Sequence, residues 1–415
     1  MKKIVQILFS FFLGLGLVSC EVNSVQQPPP LPLSNESNPT FTPAPAQTVF
    51  PTATIQPIPL GPNSYPSGIN PLTGLLVKEP ANLALPPVLA SIANFPPTAR
   101  PQAGLSYSPI VFELFIGDGM TRNLAVFYGD YPEQLPDNQG GKMMPGDSPE
   151  PVIGPIRSGR ISYEKIREMF NGFLVMASAY KSVAEVLSQY TNIFGSDATD
   201  VNSAMLKVSQ LKNIAQSGKS LVGGAALSGM FFDPEPPPGG QDAHSLWLFY
   251  SHLNQIFWRY DEKDGSYHRF QDNADGSTFI EATDRLNGEA LKYSNVIVLF
   301  VKHEVLKKYV IDLDLLYKKR EDALLFRDGK IYKIYWTTRS EEYEKTTGKL
   351  RPIRFINYDG NPFPLKPGQT WIEVIPLGLQ AWETVNSEKY NQLMAGNQKG
   401  SGYWALRFKD PTPKP

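Results

Sequence analysis

Four arginines stand beside turn-forming residues in the first half of the chain. Arg100 precedes Pro101, Arg122 follows Gly119-Met120-Thr121, and Arg157 and Arg160 bracket Ser158-Gly159. A guanidinium is planar, permanently charged and rich in paired N–H donors, so arginines held by strand ends and turns can converge on one carboxylate or phosphate. Glu113, Asp118, Thr121 and Ser158 lie on the same stretch, and His244 comes later. Together Arg100, Glu113, Asp118, Thr121, Arg122, Arg157, Ser158, Arg160 and His244 form the candidate ligand-binding set. Two further chemistries would use the same residues. Glu113, Asp118 and His244 would serve an envelope hydrolase or transferase as acid and base if they met in one cleft. Alternatively, the arginines pair with Glu113, Asp118 or Glu164 and lock the loops.

The elements that must position these residues follow from periodicity. Ile110–Phe115 and Leu124–Tyr128 are short runs rich in β-branched and aromatic residues, which predicts strands. Gly117-Asp118-Gly119 between them suits a tight connection, because glycine accepts positive φ. Pro87–Asn94 reads as an earlier strand. Ile153–Arg160 leads into a helix predicted over Ile161–Phe170. Ser158 or Ser162 is expected to cap that helix, and its remaining free N–H groups and dipole would favour an anion beside Arg157 and Arg160. Gly172–Ser178 reads as a buried strand. Val183–Tyr190, Met205–Ser217 and Leu246–Phe257 read as helices, the last entered from the Pro-rich loop Asp233–Gln241 that carries the chain to His244.

From about Tyr260 strands dominate: Tyr267–Gln271, Ser277–Glu281, Asn295–Val301, Lys308–Asp312, Ile353–Asn357 and Thr370–Ile375. Leu324–Arg327 and Ile331–Thr337 flank Asp328-Gly329, a pair suited to a type I′ hairpin turn. The expected fold is an α+β or α/β N-terminal domain (67–259), with a mixed sheet and flanking helices, packed on a mostly antiparallel β-rich C-terminal domain (260–379). Residues 380–415 are expected to add a short helix at most and a frayed end.

The chain also shows a resemblance. Asn70-Pro71-Leu72-Thr73-Gly74, Ala99-Arg100-Pro101-Gln102, the turn ending in Thr121-Arg122, Ile153-Gly154-Pro155 followed by Arg157, Ser158 and Arg160, and Gly368-Gln369-Thr370-Trp371-Ile372 occur in this order. They resemble the YerB-like bacterial lipoproteins, a family without an established biochemical function. The likeness spans roughly Asn70 to Pro376 and implies a histidine near His244. Two positions depart from it. Ile92-Ala93-Asn94 stands where the family tends to have Ile-Asp-Asn, and Gly117-Asp118-Gly119 where it tends to have Glu-Gly-Gly.

The N-terminus carries an address. Lys2 and Lys3 precede an uncharged run from Ile4 to Val18, and Leu17-Val18-Ser19-Cys20 resembles a lipobox. Residues 1–19 therefore read as a lipoprotein signal peptide, too short for a comfortable span, with Cys20 as the acylated anchor. Residues 20–66 are dominated by Pro, Ser, Thr, Asn and Gln and read as a disordered tether, about 140 Å long if extended. The expected partners are a membrane, through the lipid, and an anionic envelope polymer or protein. Cys20 is the only cysteine, so intramolecular disulfides and thiol catalysis are excluded. A formal net charge of −1 without a basic block gives nucleic acid no purchase. The four histidines show no metal-ligand spacing, and no Walker loop, Gly-x-Gly-x-x-Gly or Gly-x-Ser-x-Gly occurs. No metal or cofactor is expected.

Overall fold

The apolar runs become strands where their β-branched content predicts. In a computed structural model, residues 58–132, 150–222, 226–273, 275 and 278–411 are described. The signal peptide, Cys20, most of the tether and nearly all of the polar insertion at Leu135–Pro151 lie outside those residues. The end of the tether is already part of the fold. Leu60 exchanges backbone hydrogen bonds of 2.8 and 2.9 Å with Phe232, and the Tyr65 hydroxyl donates to the Met230 carbonyl.

In chain order the main elements begin with β1 (Val88–Ala93), β2 (Ile110–Gly117), β3 (Met120–Phe127), α1 (Ser162–Phe170) and β4 (Phe173–Met176). Then come β5 (Tyr190–Asn192), α2 (Val208–Val222), β6 (Ser245–Ser251), β7 (Asn254–Asp261) and β8 (Ser266–Asp272). β9 (Asn295–Val301), β10 (Glu321–Arg327), β11 (Lys330–Thr337), β12 (Arg354–Ile356), β13 (Thr370–Pro376) and β14 (Tyr403–Arg407) complete the frame.

One mixed 11-stranded sheet runs β12-β11-β10-β9-β13-β2-β3-β1-β4-β5, with Gln241–Asp242 added beside β11. Its centre is the parallel pairing of β2 with β13, which joins strands from the two ends of the chain. A second, seven-stranded sheet is built around β8-β7-β6-β14. Alternation divides the first sheet's side chains between its faces. Ile110, Phe112 and Leu114 pack with Tyr163, Ile166 and Phe170 of α1. Val111 and Phe115 turn the other way, into the core shared with α2 and with Leu246, Leu248 and Trp258 of the second sheet. The strands after Tyr260 are mostly antiparallel, as expected, but β9–β13 extend the N-terminal sheet instead of closing a sheet of their own. Position 259/260, the expected domain limit, falls inside β7.

Both special turns take the expected conformation. Gly117, Asp118 and Gly119 all have positive φ (114°, 51° and 68°), and so do Asp328 and Gly329 (52° and 67°).

Several expected elements differ. Leu246–Phe257 is not a helix but the hairpin β6–β7. Its run is apolar on both faces because Leu246 and Leu248 fill one core while Trp247 and Phe249 fill another, so periodicity cannot tell helix from strand. Val183–Tyr190 shrinks to a single turn, Lys181–Ala184, before β5. The helix expected at Met205 starts at Val208, after a two-residue strand. The C-terminal extension is ordered through a strand at Trp382–Glu383, a helix at Tyr390–Ala395, and β14.

Candidate functional site

β3 supplies the first member of the site. Alternation sends Thr121 towards the second sheet and Arg122 to the α1 face. Arg122 is 5% exposed, and its Nη1 donates to the Ser158 carbonyl at 2.9 Å. Its Nε meets no acceptor. The loop that enters α1 brings the next two. The Arg157 amide donates to the Ser91 carbonyl of β1 (2.8 Å), and its carbonyl accepts from Ala177 just beyond β4 (2.9 Å). This fixes the backbone, while the Arg157 guanidinium donates to the Val201 carbonyl at 2.6 Å. The Arg160 Nε is buried without a partner. Among the described residues none of the three forms an ion pair. Burial, followed by repulsion from Arg160 and Arg157, lowers the Arg122 pKa to about 10 against the opposing pull of Tyr163. Burial and Arg160 lower Arg157 as well, with Asp200 acting the other way.

The expected cap is not made. Ile161 occupies the N-cap position of α1, and no side chain hydrogen-bonds there. Ser158 instead gives its carbonyl to Arg122. Glu164, in the first turn, accepts from Arg167 (3.0 and 2.7 Å) and from the Ser188 amide and hydroxyl (2.8 and 2.6 Å). It is therefore not the counter-ion of Arg157 or Arg160.

Arg100 parts company with the other three. Its Nε donates to the Asn94 carbonyl (3.0 Å) and its Nη1 to the Asp272 carbonyl (2.7 Å), placing it in a polar layer between the sheets. Burial first, then Arg269, lowers its pKa to about 10. Glu113 is the centre of that layer. Fully buried, it accepts from Asn94 (3.0 Å), Thr121 (2.6 Å) and Arg269 of β8 (2.8 Å). Arg269 also donates to Gln271 at 2.7 Å and lies 4.7 Å from the centre of the Trp371 ring. Across the β2–β13 register Glu113 faces Glu373, which accepts from the Tyr250 hydroxyl (2.8 Å) and the Trp258 indole (3.0 Å). Burial, then the facing Glu113, pushes the Glu373 carboxyl up to about 8.

The acid–base trio is not assembled. Glu113 is spent on the layer. Asp118 is exposed at the β2–β3 turn, where the Tyr309 hydroxyl donates to it and Lys308 lies 3.4 Å away; that hydrogen bond lowers its pKa. His244 is exposed ahead of β6, its amide bonded to the Gly402 carbonyl (2.7 Å) and its ring 5.6 Å from Tyr403. Sequence reasoning missed Arg269 and Glu373. The signal for Glu373 was present: a lone acid inside Trp371-Ile372-Glu373-Val374-Ile375 mirrors Glu113 inside Ile110–Ile116. Two sizeable cavities lie elsewhere. A furrow of about 590 Å³ passes Tyr107 and Tyr131, and a cleft of about 780 Å³ is walled by Phe300, Tyr332 and Trp404.

Comparison with known proteins agrees with this architecture. Residues 72–217 match the N-terminal domain and residues 246–372 the C-terminal domain of a family described as "Protein of unknown function (DUF3048)". A Bacillus subtilis (strain 168) protein named "Putative lipoprotein YerB" is 24% identical over 324 residues, covering 74% of this chain and 86% of its own. The crystal structure of YerB protein from Bacillus subtilis matches with a TM-score of 0.57 at 23% identity, covering 74% of this chain and 96% of that one. It shows a shared fold. With both domains matched in order over more than half of its length, the chain belongs to the YerB-like family, whose two domains have no assigned function.

Proposed function

We propose that this chain is an extracytoplasmic lipoprotein, anchored at Cys20, that binds an anionic group in the recess formed by Arg122, Arg157 and Arg160. One observation carries the binding reading: among the described residues Arg122 is buried without a counter-ion and keeps a donor unused. An uncompensated buried charge is costly, and such groups concentrate where a ligand completes them. Arg157 and Arg160 add charge beside Arg122 and repel it. The signal-peptide pattern and the Leu17-Val18-Ser19-Cys20 end support the anchor, and the name of the Bacillus relative points the same way.

Calorimetric titration of the full mature chain with inorganic phosphate tests the recess. Saturable heat is expected, and it should vanish in an Arg157→Ala/Arg160→Ala variant whose unfolding temperature is unchanged. Equal heat in both proteins would remove the recess as the site. Cys20→Ser should move the protein from the membrane fraction to the soluble one, and retention on the membrane would overturn the anchor.

A further inference from the structure

The positive charge does not stop at the three arginines. The Gly159 amide donates to the Ser178 carbonyl at 2.9 Å, which ties the arginine loop to the segment that continues into Tyr180 and Lys181. Lys181 and Ser182 share a shallow cleft of about 560 Å³ with Lys307 and Lys308. Those two lysines sit at the tip of the hairpin His303–Lys307/Val310–Leu313. The hairpin is held to α1 by Lys165, whose Nζ donates to Asp312 and to the Leu313 carbonyl, both at 2.9 Å. Its tip also reaches the β2–β3 turn, where Tyr309 lies against Gly117 and bonds to Asp118. Lys181 and Lys307 are exposed and form no ion pair among the described residues. Among the described residues the acids near this face are Asp118, paired with Lys308, with Asp410 beside it, and Glu185 and Asp200, fewer than its six cations.

We infer that the ligand is a linear phosphate chain whose terminal phosphate enters the arginine recess while the following groups run past Lys181, Lys307 and Lys308. The inference rests on the reading of the recess given above and names the class of ligand. A terminal phosphate presents three acceptor oxygens, against two on a carboxylate, to the three guanidinium groups around the recess. Depth argues for a chain end over a planar lipid surface. At 5% exposure Arg122 is out of reach of a flat headgroup layer, whereas the end of a polymer can enter. Linked contacts then add up, because each later phosphate binds at the high effective concentration set by the first.

The test compares three probes on the full mature chain: inorganic phosphate, linear polyphosphate, and phosphatidylglycerol vesicles. Polyphosphate should bind at least about tenfold more tightly than phosphate, with a steeper loss of affinity as salt rises. A Lys181→Glu/Lys307→Glu variant should lose that gain and keep phosphate binding, while Arg157→Ala/Arg160→Ala should lose both. Equal affinity for phosphate and polyphosphate, or no effect of the lysine changes, overturns the track and leaves the recess standing. Tighter binding to vesicles than to polyphosphate reassigns the face to a membrane and also overturns it. Failure to bind any phosphate sinks the recess reading itself.

Discussion

Arg122 and Arg269 are both buried, yet their surroundings differ in kind. Arg269 has a carboxylate at 2.8 Å, whereas Arg122 has one backbone carbonyl and an idle Nε. Arg269→Met would leave Glu113 charged and unpaired in the core and should cost about 3–5 kcal/mol in urea unfolding. Arg122→Met removes a charge that the fold does not neutralise and should raise stability by about 1–2 kcal/mol while weakening phosphate binding. A loss of stability in Arg122→Met would mean that the residue serves the fold. That Arg157 and Arg160 stand together was legible in sequence because they share one short loop, whereas the approach of Arg122 from β3 follows only from the fold. The place of Arg100 was not legible, because strand and turn patterns do not say which side of a sheet a neighbouring loop will face. Its partner Asp272 is also too distant in sequence for any local pattern to connect the two. His244 was expected just before a helix that is in fact a strand.

Among elements, β2 and β13 define the interior. Each is an apolar run interrupted by one glutamate, and their parallel register sets Glu113 directly against Glu373. The Glu373 carboxyl stands near 8 in the fold against an ordinary value of 4.5, so the folded chain retains a proton that the unfolded chain releases. Stability from this group is therefore complete below about pH 4.5 and is lost as pH rises towards 8. Thermal unfolding followed from pH 5 to 9 should show this decline, at on the order of 1 kcal/mol per pH unit at its steepest. Glu373→Gln should flatten it, and an unchanged slope in that variant would reject Glu373 as the source. The strands of this layer were readable from their β-branched runs. The hairpin β6–β7 was not, since an apolar stretch buried on both faces has no period to read.

For the whole molecule, the C-terminal extension is structural. It lies beyond residue 372, where the match to the family's C-terminal domain ends. β14 pairs in parallel with β6, and Tyr390 and Leu393 cover Trp247 and Phe249 on the outer face of the second sheet. Ending the chain at Leu379 would bare those aromatic rings, each worth about 1.5–3 kcal/mol of burial. The shortened protein should lose cooperative thermal unfolding in near-ultraviolet circular dichroism. A melting curve unchanged from that of the full chain would make the extension accessory.

The β2–β13 seam has a consequence for how the protein is made. Synthesis delivers β2 early and β13 close to the end, so for most of translation a long apolar strand has one flank with no neighbour. Bare strand flanks invite pairing with other chains, and contacts so distant along a polypeptide form slowly. A nascent copy halfway through synthesis is thus more hazardous than a finished one, and the cell has reason to keep it unfolded until β13 arrives.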